Sequence, residues 1–190
     1  MKKLLFLVLA FCFSITAMAQ NEHLEFKGVP IDGHIENFVS ELKKQGFVEE
    51  HRFDTGVIMK GKFTGKDANI FILPTAKTKI VWKVAAQIGE DEAWQTLKSN
   101  YFEYVKLYSS KYGEPTHHYE FFSDPYYEGD GYELQALRKD KCTYWTAYEL
   151  TNGVLTVSIT SQGKISLSYE DSKNAKIMKQ EKTSNALDDI

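Results

Sequence analysis

Two glycines five residues apart, Gly28 and Gly33, open the stretch GVPIDGHI at 28–35 in the manner of a phosphate-cradling loop. Such a loop needs a lysine for the outer phosphates and a hydroxyl for magnesium directly after the second glycine. His34 and Ile35 stand there instead, and Pro30 removes one of the backbone N–H groups that would do the cradling. The stretch reads as a corner that delivers the chain into a helix. His117 and His118 are the next candidates, but adjacent residues of a strand point to opposite faces and do not share a metal. His118 and Glu120 do share a face; a third ligand would have to come from His51 or Asp124, with no spacing rule behind it. A surface pair is the favoured reading.

The segment SDPYYEGDGY at 123–132 is the most distinctive candidate surface. Asp124, Glu128, Asp130 and the neighbouring Glu133 offer oxygen ligands for calcium, yet the ordered run of an EF-hand loop is missing. Tyr126, Tyr127 and Tyr132 favour binding of a macromolecule, because tyrosine combines rigid contact area with a polar tip. The expected binding residues are therefore Tyr126, Tyr127, Tyr132, Asp124, Glu128 and Asp130, with a plain solvated loop as the alternative. Phe121 and Phe122, just before the loop, are expected to anchor it, one of them facing inward.

No G-x-S-x-G, no H-E-x-x-H and no convincing Ser/His/Asp arrangement occurs in the chain. Neither a catalytic residue, a metal nor a cofactor is expected.

The N-terminus speaks of compartment. Lys2 and Lys3 precede an apolar run from Leu4 to about Thr16, followed by Ala17-Met18-Ala19. That is the pattern of a secretory signal peptide over 1–19, the run being short for a membrane span. Cys12 lies inside the apolar run after the bulky Phe11, which argues against lipid attachment. Removing residues 1–19 takes away two lysines and leaves 21 basic against 26 acidic residues, a net charge of −5. Such a mixed, mildly acidic chain is not expected to bind nucleic acid or to insert in a membrane after cleavage. Cys142 would then be the remaining cysteine, without an intramolecular disulfide partner and expected to be buried.

These residues need elements to hold them. Ile35, Phe38, Val39 and Leu42 mark one face of a helix that starts near Asp32 and stops at Gly46. Period-two runs follow at 56–63, 69–74 and 79–88, joined by turn residues. A second helix is marked by Trp94, Leu97, Tyr101, Tyr104, Val105, Tyr108 and Tyr112, led in by Glu90, Asp91 and Glu92 and ended by Gly113 and Pro115. Strands are expected again at 116–122, 132–138, 142–150, 153–161 and 164–170, and a polar, disordered tail at 171–190.

The fold class expected is α+β, with two helix-plus-antiparallel-meander halves and the helices packed on one face of curved antiparallel sheets. A single domain over 20–170 divides into halves 24–89 and 90–170. LEFKGVPIDGHIENFVSELKKQGF at 24–47, with AMAQ at 17–20 and KYGEP at 111–115, resembles a group of small secreted proteins of unknown function from Bacteroides-type bacteria. The tandem plan is similar to the β-lactamase-inhibitor-protein-like architecture, in element order only. That family is stapled by disulfides, and no functional residue carries over.

The expectation is an exported, periplasmic or secreted, non-enzymatic binding module for a protein or peptide. The alternatives are a carrier of an apolar or aromatic small molecule between sheet and second helix, and a hydrolase with a dispersed site.

Overall fold

Alternation of apolar and polar residues builds most of the molecule, and the computed structural model describes it over residues 22–89 and 93–188. The expected signal segment 1–19 and the acidic run 90–92 lie outside the described residues. The chain enters as a hairpin of β1 (Glu25–Phe26) and β2 (Val29–Pro30). Lys27 and Gly28 between them have φ of 52° and 76°, the two-residue turn whose twist suits a hairpin. Gly28 therefore serves that turn.

The corner at Gly33 is pinned to the segment after residue 78. Ile35 N–H donates to Lys79 O at 2.9 Å, and Val81 N–H donates to Gly33 O at 3.0 Å. Helix α1 (Ile35–Lys44) buries Ile35, Phe38, Val39 and Leu42, the expected stripe. Its N-cap is His34, whose Nδ1 accepts the Glu36 N–H at 3.3 Å, and not Asp32. The Asp32 carboxylate instead accepts from Asn174 Nδ2 at 3.1 Å. At the other end Gly46 N–H donates to Lys43 O and Phe47 N–H to Leu42 O, the paired bonds that close a helix through a left-handed glycine.

Strands β3 (Val48–Phe53), β4 (Gly56–Phe63), β5 (Lys66–Pro74) and β6 (Val81–Ile88) form the first meander. The second half follows as α2 (Trp94–Tyr112), β7 (His117–Phe122), α3 (Glu133–Arg138), β8 (Cys142–Leu150), β9 (Gly153–Ile159) and β10 (Ile165–Asp171). Strands β3 to β10 pair antiparallel in one eight-stranded sheet, ordered β3-β4-β5-β6-β10-β9-β8-β7, and β1 and β2 stay a separate pair. The two meanders thus meet last strand to last strand, with Leu167 opposite Ala86 and Tyr169 opposite Val84. The first strand of each, β3 and β7, becomes a sheet edge.

The strand expected at 132–138 is instead the short helix α3. Its buried residues Glu133, Ala136 and Leu137 have helical spacing, and Glu, Leu, Gln, Ala and Arg are all good helix formers. The halves therefore differ at one join. β3 and β4 are linked by Asp54 and Thr55, whereas β7 and β8 are separated by residues 123–141.

One apolar layer runs under α1 and α2. Val57, Met59, Ile70, Ile72, Val84 and Ala86 supply it from the first half, and Leu155, Val157, Ile165 and Leu167 from the second. Trp94, Leu97, Tyr101, Tyr104 and Tyr108 come down on it from α2. The fit is close enough to dictate a residue: a Cβ at Gly61 would stand 2.3 Å from the Phe47 ring.

The tail expected to be disordered forms α4 (Ser172–Asp188), which contacts β6, β9 and β10. Polar groups hold it. Asp171, fully buried, accepts the N–H groups of Lys173 and Asn174 at 3.0 Å each and that of Leu24 at 3.0 Å. Asn174 Nδ2 donates to Ile31 O at 2.9 Å and to Val81 O at 3.0 Å. Farther along α4, Glu181 receives Lys77 N–H at 2.6 Å and Thr78 N–H at 3.1 Å. Among the described residues no helix is long and apolar enough to cross a membrane.

Candidate functional site

Loop 123–132 is organised by its own acids. Asp130 accepts the Tyr132 N–H at 2.7 Å and the Tyr127 N–H at 3.1 Å, drawing the loop into a tight arch. Glu133, buried at the start of α3, accepts the Gly129 N–H at 2.9 Å. Glu128 pairs with Lys98 of α2 and receives the Tyr144 hydroxyl at 3.4 Å. Tyr126 packs partly buried against the core with Lys139 Nζ 5.9 Å from its ring centre. Of the six expected binding residues, Tyr127 and Tyr132, 66% and 61% exposed, and Asp124 face solvent; Glu128 is exposed too but is engaged by Lys98, while Tyr126 and Asp130 are partly buried.

The strand before the loop extends the same surface. Phe122 turns inward, its ring 5.7 Å from that of Trp94. Tyr119 and Phe121 alternate with it and are each half exposed. On that outer side Trp145 of β8 lies 5.7 Å from Tyr119 and 6.5 Å from His117, ring to ring. β7 pairs with β8 in unbroken register, and its other side is the free edge of the sheet. The opposite edge is guarded: β3 carries Glu49, Glu50 and Arg52 and a register shift between Glu49 and His51.

His118 and Glu120 come together, Nε2 lying 2.6 Å from Oε1. His118 Nδ1 also lies 2.7 Å from Thr146 Oγ1, which lies 2.5 Å from the Tyr101 hydroxyl. Carboxylate, imidazole and hydroxyl are thus aligned as in a hydrolase, but Thr146 is fully buried and its oxygen is already engaged by Tyr101. A substrate carbonyl has no approach to it, and the chain of bonds ties β7 to β8 and α2. Cys142 is buried, as expected, and burial with the nearby Glu128 and Glu133 pushes its thiol up to about 12. It is protonated and unreactive at neutral pH. Among the described residues no three His, Cys, Asp or Glu side chains converge to hold a metal.

No family model, curated protein or solved structure matches the chain. Function has to be read from side chains alone. A groove of about 510 Å³ lies between the end of α2, the β1–β2 hairpin and the sheet. Its lining comes from residues as far apart as His23 and Tyr169, so no local motif announces its make-up. The aromatic spacing of α2 was the sole signal, and most of those rings are core.

Proposed function

We propose that this protein is an exported, non-enzymatic binding module that takes hold of a protein or extended peptide along β7 and loop 123–132. The observation that carries the reading is the concentration of exposed aromatic surface in one stretch of chain. Tyr119, Phe121, Tyr127 and Tyr132 are each half exposed or more, and they flank a regular sheet edge without lysine, proline or bulge. An edge of that kind offers unpaired N–H and C=O groups to an added strand, while tyrosines beside it supply anchors. Asp124 adds a charged rim. Export to the periplasm or beyond rests on the N-terminal sequence pattern, and kinship with the secreted Bacteroides-type proteins rests on the entry motif at 24–47.

Photo-crosslinking tests the surface in the native host. A benzophenone side chain at position 127 or 119 is expected to give a discrete adduct with one partner. The same group at Lys44, exposed on the far helix α1, should give none. Equal crosslinking from all three positions would remove the assignment.

A further inference from the structure

We propose that the groove between the C-terminal half of α2, the β1–β2 hairpin and strands β9 and β10 binds a small amphipathic carboxylate, an acid with an aliphatic or aromatic body. The site is separate from the β7 surface, and neither depends on the other. Its volume, about 510 Å³, lies within the range of small-molecule sites. Phe63 and Leu155 line it with buried apolar surface, and Leu107 stands half exposed at its lip. An apolar ligand body in the groove would cover it.

The polar groups define the ligand's head. Tyr108 and Tyr169 both line the groove, and their hydroxyls lie 2.5 Å apart. A single hydrogen occupies the space between two such oxygens, so one phenol keeps a proton with no acceptor among the described residues. A buried donor without an acceptor, on side chains that line a hollow, suits a carbonyl or carboxylate oxygen. Burial holds both phenols well above their ordinary value, so the donor persists at any physiological pH. Lys111 at the mouth has no carboxylate partner among the described residues; its ammonium rests 5.0 Å from the Tyr112 ring centre. Lys27 adds to the positive side, against Glu25, which is already engaged; His23 lies against the Asp171 and Asp32 carboxylates and adds none. An anionic head is therefore favoured over a cationic one of the same shape.

The test uses the mature protein and 1-anilinonaphthalene-8-sulfonate, an aromatic anion whose fluorescence reports burial. Saturable binding is expected, with displacement by decanoate at least about tenfold better than by decyltrimethylammonium, which has the same apolar body and opposite charge. Lys111→Glu, a surface change that leaves folding intact, should weaken decanoate about tenfold. Tyr108→Phe combined with Tyr169→Phe keeps both rings and should cost about three- to tenfold. Absence of saturable binding, equal competition by the two chains, or decanoate affinity unchanged in Lys111→Glu would overturn the proposal. If the double phenylalanine variant melts early, the Lys111→Glu result decides alone.

Discussion

Asp130 decides how the two most exposed tyrosines among the described residues are presented. Its carboxylate accepts the backbone N–H of both Tyr127 and Tyr132, so the arch between them is fixed by one side chain. Asp130→Ala is expected to cost about 1–2 kcal/mol and to speed amide exchange at both tyrosines, while Asp130→Asn, which keeps an acceptor oxygen, recovers part of the loss. Unchanged exchange in the alanine variant would show that the loop is shaped by something else. Cys142 offers a second check at this scale. With its thiol pushed up to about 12, it should resist a disulfide reagent at pH 8 in the folded protein and react in step with unfolding.

At the scale of elements, legibility followed the source of stabilisation. β4 and β8 were read residue for residue because one face of each packs on the apolar layer, which imposes period two on the sequence. β3 escaped notice because it is an edge, held to α1 by charged groups. Hydrogen bonds from Arg52 and Lys43 pull the Glu49 carboxyl down to about 2. Residues 132–138 read as a strand because Tyr132, Leu134 and Ala136 alternate with Glu133 and Gln135. Their helix-forming composition was the better signal. The segment of α4 reads as a tail because it docks through Asp171, Asn174 and Glu181 and has no apolar stripe to display.

Glu181 makes that polar docking testable by pH. Burial raises its carboxyl, but hydrogen bonds from the Thr78 hydroxyl and the Lys77 and Thr78 N–H groups outweigh burial and leave it below its ordinary value of 4.5. A lowered carboxyl stabilises the folded state above its unfolded value and loses that contribution as pH falls through its folded value. The difference in melting temperature between wild type and Glu181→Gln should accordingly stay level from pH 7 to 5 and shrink below pH 4.5. A difference that stays constant down to pH 3 would contradict the docking described.

The whole molecule is two similar halves joined along β6 and β10, and its asymmetry is functional in this account. β3 and β4 turn tightly at Asp54 and Thr55, whereas the equivalent join in the second half grows into loop 123–132 and α3. That the loop breaks the plan was legible from its composition. That Asp130 shapes the loop from within, and that Glu128 ties it to Lys98 of α2, was not, since neither contact leaves a trace in residue spacing. The central claim is that Tyr127 and Tyr132 anchor a partner. The direct measurement is the affinity of the crosslinked partner, purified, for wild type and for Tyr127→Ser combined with Tyr132→Ser. Two exposed anchors predict a loss of at least about thirtyfold at an unchanged melting temperature. Equal affinity of the two proteins would contradict the account.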